Sequence, residues 1–407
     1  PVVIGHDAKA VHGAGLVVYT AAIAPDNVER MECERLGIPQ MERAELLGQI
    51  SEHYPRSVAI CGTHGKTTST SMLSTVLLDA GRDPSIEIDL IGGSVHAGSG
   101  DTFITEACEF KASFLTLHPT LALVLNIDED HLDFYKDIHE IEDTFAKFLG
   151  QIMPGGMAVL CGDDMRALSM KQRISVRSVT YGLDNPDCDY TARDITHDDA
   201  MCFSFTPVEH GVELPRVTLR VPGRHNALNA LGVTAAAREL GLTGEEIARG
   251  LDAFAGAHRR FELTATIEGV KLYHDYGHNP AEFHSVIPLA DAVAGDHRLF
   301  VVCQPHTYSR TKLLFDQYMT CFTGADEVLI TDIYAAREKD PGDIHATMLV
   351  DALQKHGVPA VYTPDFDACE NYLRTHWQPG DVMISLGCGN INLLNEQIAR
   401  HEAEKTN

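Results

Sequence analysis

The sequence is short of positive charge. Its 407 residues carry 32 lysines and arginines against 58 aspartates and glutamates, a formal net charge of −26. Such a balance disfavours polyanions, so neither nucleic acid nor an anionic membrane is expected as a partner. Anionic small molecules stay open, because they need only a local lysine, arginine, helix terminus or Mg²⁺. Other absences narrow the field. No apolar run is long enough to span a bilayer, and no secretory leader is legible. The ten cysteines include no C-x-x-C pair. Cys61, Cys161 and Cys303 sit in apolar runs, where a thiol behaves as a small hydrophobe. A reduced, cytoplasmic protein is expected. No Asn-Lys-x-Asp is present to read guanine, and there is no internal repeat or low-complexity tract.

What is present is apolar content of 44%, ample for two or three domains with their own cores. The richest stretch is Cys61-Gly62-Thr63-His64-Gly65-Lys66-Thr67-Thr68. It follows an apolar run at 57–60 and precedes a helix-like segment at 69–80. Strand, glycine turn, Lys-Thr and helix form a site for a nucleotide triphosphate. Backbone N–H groups close on phosphate oxygens, and the helix N-terminus adds partial positive charge. In this reading Gly62, Thr63, Gly65, Lys66, Thr67 and Thr68 hold the triphosphate. Lys66 reaches the β/γ-phosphates and the Thr67 hydroxyl reaches Mg²⁺. The common P-loop has a further glycine where Ile60 stands, and a short Gly-x-x-Gly also serves simply as a turn.

The chain reads as α/β throughout. Residues 1–48 show strands at 1–4 and 16–20, a helix ending at Gly37, and a helix at 41–53, like the tail of a doubly wound domain. The opening strand suggests that a preceding segment is missing. Residues 49–258 carry the glycine loop and the apolar runs 102–105, 121–126 and 157–160, which suit buried parallel strands. Alternation over 185–220 suggests an antiparallel excursion. A helix over 225–240 follows, and another opens at Thr243 with Glu246 completing a capping box. Residues 259–407 form a third α/β unit with strands at 299–303, 328–332 and 382–386.

Chemistry-bearing residues collect after these strands. Glu106 and His131 each follow an apolar strand, and in a parallel sheet both emerge at the edge that carries the glycine loop. With Thr67 they could share Mg²⁺ near a γ-phosphate. The imidazole is the less expected ligand, and both are equally readable as ordinary residues of acidic loops. Asn226 and Asn229, three apart, share a helical face and can hydrogen-bond an adenine edge. The alternative is a helix cap and a surface amide. Arg259 and Arg260 follow a domain junction, where an arginine can clamp phosphate or simply be solvated. The polar runs 274–280 and 304–311 follow strands, where ligands gather in open α/β sheets.

Together these segments resemble the Mur ligase family of ATP-dependent amide-forming enzymes. The matching pieces are 62–68, 106–115, 126–133, 222–230, 256–261, 274–282, 304–311 and 334–338, in order along nearly the whole chain. The shortened glycine loop is the form this family uses. The resemblance implies three domains: a remnant of a UDP-binding domain (1–48), an ATP-binding domain (49–258) with a P-loop-type parallel sheet, and a Rossmann-like amino-acid-binding domain (259–407). It implies that Lys66 contacts phosphate, Thr67 and Glu106 hold one Mg²⁺, and Glu106 and His131 hold a second. It places Asn226 and Asn229 on adenine, Asp275 on the ribose, Arg260 on phosphate, and Tyr276, His278 and Arg310 toward acceptor and amino acid. The 274–282 and 304–311 segments favour the branch that adds L-alanine to UDP-N-acetylmuramate, the first amino-acid addition in peptidoglycan precursor synthesis. Such a ligase activates the carboxylate as an acyl phosphate and excludes water by domain closure. A ligase that reattaches a recycled peptide to the same sugar nucleotide, and a non-catalytic nucleotide-binding regulator, are the rival readings.

Departures from the family pattern are also legible. The glycine-rich turn that opens its first domain is absent, so about one and a half βα units are expected to be missing ahead of Pro1. His6 and Thr20 are what remains as candidates for the UDP site. Thr307 stands where many relatives have arginine, and Asn279 where many have a second histidine. Lys147 falls near a position where some members carry a carbamylated lysine, and is expected to be unmodified.

Overall fold

The computed structural model describes residues 2–90, 93–130 and 134–406. The chain divides into two compact units. One holds residues 1–196, 204–219 and 225–254, and the other 197–203, 220–224 and 255–407.

The first unit opens with β1 (Val17–Tyr19), α1 (Val28–Leu36), β2 (Gln40–Glu42) and α2 (Arg43–Glu52). β1 and β2 pair in parallel as a two-stranded sheet. The strand expected at 1–4 does not form at residues 2–4. Val2 and Ile4 are 90% and 94% exposed, and β-propensity without a partner strand leaves the backbone in solvent.

Next come β3 (Arg56–Cys61), α3 (Lys66–Asp79), β4 (Ser85–Leu90), β5 (Gly93–His96) and β6 (Thr102–Ala107). They are followed by β7 (Leu121–Val124), α4 (Ile138–Leu149), β8 (Met157–Cys161), α5 (Met165–Ser169) and β9 (Arg177–Tyr181). β10 (Tyr190–His197), β11 (Cys202–Glu209), β12 (Val212–Glu213), β13 (Val217–Pro222), α6 (Arg224–Glu239) and α7 (Gly244–Ala253) complete the run. The large sheet orders these strands β12-β11-β10-β9-β8-β7-β3-β6-β4-β5, with β13 on β11. β3 is central and parallel to both β6 and β7. Its run Val58-Ala59-Ile60-Cys61 is fully buried, as a strand covered on both faces requires. The β11–β12 pair is antiparallel, within the excursion read from the alternation. α7 opens on the expected capping box of Thr243 and Glu246.

The second unit holds β14 (Glu262–Ile267), β15 (Val270–Asp275), α8 (Pro280–Ala294), β16 (Leu299–Cys303), α9 (Tyr308–Leu313), α10 (Tyr318–Cys321) and β17 (Glu327–Ile330). α11 (Ala346–Lys355), β18 (Ala360–Tyr362), α12 (Phe366–His376), β19 (Val382–Leu386) and α13 (Asn392–Thr406) follow. The sheet order is β14-β15-β19-β16-β17-β18, parallel from β15 onward. Strand period sets its two cores. Leu299, Val301 and Cys303 of β16 enter one cluster with Phe283 and Tyr318. Phe300 and Val302 enter the other with Trp377 and Ile398. Burying each such side chain contributes about 1.5–3 kcal/mol. The C-terminal ends of β15, β16 and β17 thereby become a rigid rim. No helix among the described residues is long and apolar enough to cross a membrane.

Candidate active site

The loop between β3 and α3 is built by backbone geometry. Gly62 has φ 143° and Gly65 φ 87°, conformations that disfavour a side chain. A Cβ at Gly62 would stand 3.0 Å from Leu125 Cβ and 3.1 Å from Asn126 N. One at Gly65 would stand 3.1 Å from the Asn229 amide. α3 begins at Lys66 rather than at Ser69, because Gly65 in the left-handed region serves as its N-cap. Lys66 and Thr67 therefore form its first turn, where orphan N–H groups and the helix dipole favour an anion.

Parallel pairing then sets Glu106 beside the loop. It lies opposite Ile60 in the β3–β6 register, and its Oε2 accepts from Thr67 Oγ1 at 3.1 Å. Two cis ligands of an octahedral Mg²⁺, each about 2.1 Å from the ion, are about 3 Å apart. The hydroxyl and carboxylate thus fit one Mg²⁺ as hard oxygen donors, with water and phosphate oxygens free to complete the shell. Among the described residues no group of three or more His, Cys, Asp or Glu side chains is placed to hold a metal by itself. His131 lies outside the described residues.

Lys66 is held from three directions. Its Nζ donates to Gly62 O (2.5 Å), Thr63 O (3.1 Å) and both oxygens of Glu109 (3.0 and 2.9 Å). Burial pulls the ammonium pKa down, and the adjoining Glu109 carboxylate outweighs it, leaving the pKa raised. Asn126, just beyond β7, accepts from His64 N (2.8 Å) and donates to His64 O (3.0 Å). Glu109 and Asn126 carry no role in the sequence reading, although both fall within the quoted motifs. A second carboxylate three residues after Glu106 was the available signal.

Asn226 and Asn229 lie on α6 and are both buried, their amides linked at 3.4 Å. The surface reading of Asn229 therefore fails, since its amide rests against Gly65. His6 is half-exposed, with Nδ1 3.2 Å from Glu29 Oε2. Thr20 is exposed and its carbonyl accepts from Ile23 N. Lys147 lies in the last turn of α4.

The second unit assembles a different set. Asp275 ends β15 and is buried. Its two oxygens accept from Phe261 N (2.8 Å) and Gly277 N (2.7 Å). Burial raises its pKa, and Arg260 and these N–H groups pull against that. The Tyr276 ring lies near both arginines, with Arg259 at 4.8 Å and Arg260 at 5.3 Å from its centroid. Arg259 is engaged as structure. Its Nε donates to His274 Nε2 (3.0 Å) and its Nη2 to the carbonyls of Gly387 and Gly389. His274 must then be neutral, and burial with the Arg259 charge drives its pKa to about 3. His278 meets Tyr276 and His306 edge-on, at 5.8 and 6.0 Å between centroids. His306 stacks on Tyr334. Burial, then Arg310 among other charges, lowers the pKa of both His278 and His306. Tyr276, His278 and Arg310 are thus brought together, and His306 and Tyr334 join them. Thr307 and Ser309 hydroxyls both donate to Glu338.

A glycine loop at the end of a central parallel strand, with Lys-Thr opening a helix and a carboxylate on the neighbouring strand, has the layout of a P-loop. Three family models cover most of the chain: Mur ligase family, catalytic domain (1–55), Mur ligase middle domain (60–237), and Mur ligase, glutamate ligase domain (259–389). The chain is 42% identical over 401 residues to a UDP-N-acetylmuramate–L-alanine ligase of Acetivibrio thermocellus, covering 97% of this chain and 85% of that protein. A protein of the same name from Caldanaerobacter subterraneus subsp. tengcongensis is 43% identical over 398 residues, 97% of this chain and 86% of that protein. In fold it is similar to a UDP-N-acetylmuramate–alanine ligase of Thermotoga maritima, with TM-score 0.81 at 23% identity over 99% of this chain and 88% of the other. A murein peptide ligase of Psychrobacter arcticus superposes with TM-score 0.71 at 20% identity, over 97% of this chain and 88% of the other. The chain belongs to the Mur ligase family, with its α/β fold and three sheets.

Proposed function

We propose that this chain is the ATP-dependent ligase that joins L-alanine to UDP-N-acetylmuramate. The observation that carries the substrate choice is 42% identity over 97% of the chain to proteins named for that reaction. The Lys66–Thr67–Glu106 grouping supports the chemistry. In this reading residues 1–48 belong to the UDP-binding domain, with His6 and Thr20 on that side. Residues 49–258 bind ATP and residues 259–407 bind the amino acid. The reaction belongs to the cytoplasm, where ATP and the sugar nucleotide are dissolved.

A carboxylate is a poor acyl donor. One of its oxygens attacks the γ-phosphorus of ATP, ADP leaves, and an acyl phosphate results. The alanine nitrogen then attacks the acyl carbon, loses a proton, and a tetrahedral intermediate expels phosphate as the amide forms. Catalysis of this kind is positioning plus charge neutralisation. Gly62, Thr63, Gly65 and Thr68 present the loop and first-turn backbone to phosphate, and Lys66 offsets its charge. Mg²⁺ held by Thr67 and Glu106 would spread the charge of the transferring group, and a second ion on Glu106 and His131 belongs to the same proposal. Asn226 and Asn229 serve the adenine and Asp275 the ribose. Arg260 is assigned to phosphate. Arg310 suits the alanine carboxylate, and the lowered pKa leaves His278 able to accept from its ammonium.

The test is phosphate release with ATP, Mg²⁺ and UDP-N-acetylmuramate across a panel of amino acids and short peptides. Release with L-alanine is expected. Release with a peptide but not alanine selects the recycling ligase, and binding of ATP without release under any condition selects the non-catalytic reading.

A further inference from the structure

Lys66 leaves no hydrogen-bond donor unused. An ammonium has three, and three acceptor groups take them: two loop carbonyls and the Glu109 carboxylate. Glu109 is 2% exposed, so its contact is not a loose surface pair. Its backbone is fixed as well. The Glu109 carbonyl accepts from Tyr135 OH and from Ala112 N, and the Cys108 carbonyl accepts from Phe114 N and Ser113 Oγ. Lys111 and Ala112 hold positive φ of 51° and 55° in the turn that follows. A phosphate can use Lys66 only if one of the three contacts breaks. Two of them are carbonyls of the loop itself, and the third is the anion.

We propose that Glu109 is a positioning residue that stands in for phosphate, holding the Lys66 ammonium at the loop and yielding it to the incoming β/γ-phosphates. The proposal rests on the loop being the nucleotide site. It makes the pair a competitor of the ligand. Removing the Glu109 charge exposes a buried, uncompensated ammonium, which destabilises the empty protein, yet it also removes what nucleotide must displace. Stability of the empty protein and nucleotide affinity therefore move in opposite directions. A purely structural carboxylate would move them together, because a loosened loop binds less well.

The experiment is calorimetric titration of Mg²⁺-ADP into the wild type, Glu109→Asp and Glu109→Gln, with each variant repeated in a Lys66→Met background. Affinity should rise along that series. It should reach about tenfold in Glu109→Gln, the order set by one charge-assisted hydrogen bond, while the melting temperature without nucleotide falls. In the Lys66→Met background the series should be flat. Glu109→Asp keeps the charge but is one methylene shorter, so it decides the matter alone should Glu109→Gln not fold. Affinity that is unchanged or weaker in both variants overturns the proposal, as does the same rise without Lys66. Absence of ADP binding by the wild type sinks the loop reading and this inference with it.

Discussion

Around Lys66 the chain relies on charge and backbone. An ammonium, two carboxylates, a hydroxyl and a helix start come from one strand–turn–helix, its neighbouring strand and the turn after that strand. Around His278 the second unit relies on rings and neutral groups. Tyr276, His278, His306 and Tyr334 meet edge-on or stacked, and His274 nearby in sequence is kept uncharged by burial and by Arg259. The contrast suits the tasks proposed for the two regions. Phosphate carries fixed negative charge at any working pH and is met by fixed positive charge. An attacking amine must shed a proton, and neutral imidazoles can take hydrogen bonds from it without adding charge of the same sign.

The largest effect that would sharpen this contrast is on stability against pH. His274 titrates at about 3 in the folded protein, against its ordinary 6.5. The folded state excludes the proton, so the contribution is complete above about pH 6.5 and is lost as pH falls toward 3. At about 1.4 kcal/mol per unit, the shift is worth roughly 4–5 kcal/mol to the second unit. Scanning calorimetry should show its transition falling across that window, and His274→Asn should flatten the dependence. A wild-type transition that does not move below pH 6 would break the comparison.

Next is Lys66→Met, expected to lower kcat/KM for phosphate release by about 10²–10³, the usual loss for one preorganised charge-stabilising donor. Circular dichroism should show the fold intact. A loss below tenfold would mean that the backbone cradle alone carries the phosphate. Smaller still is Arg310→Ala, expected to raise the KM for alanine by about tenfold, as for one hydrogen bond to a charged group. The KM for ATP should stay put, and a change confined to ATP would move Arg310 out of the amino-acid site.

The two regions also differ in how far the sequence reveals them. The strand–loop–helix around Lys66 was legible because glycine, lysine and threonine at fixed spacing act through backbone geometry. Glu106 was legible because parallel pairing brings strand ends to one edge, and the structure sets it 3.1 Å from Thr67. Glu109 was not, although only three residues away. Its direction depends on a turn in which Lys111 and Ala112, rather than glycines, take positive φ. In the sequence reading α3 starts at Ser69, three residues late, because the Gly65 N-cap is set by its left-handed φ and lets Lys66 open the helix. In the second unit the loops were legible as loops, but the stacking of His306 on Tyr334 joins segments 28 residues apart and leaves no local trace. Arg259 and Arg260 look alike in the sequence. Only the contacts of Arg259 with His274, Gly387 and Gly389 mark it as scaffold.

The claim common to both regions is that the carboxylate is activated as an acyl phosphate before any amine arrives. Hydroxylamine trapping tests it most directly. With ATP, Mg²⁺ and UDP-N-acetylmuramate but no alanine, the protein should form the hydroxamate of the sugar nucleotide together with ADP, and Lys66→Met should slow both by the same factor of about 10²–10³. ADP formation without hydroxamate, or hydroxamate formation without ATP, would contradict the account.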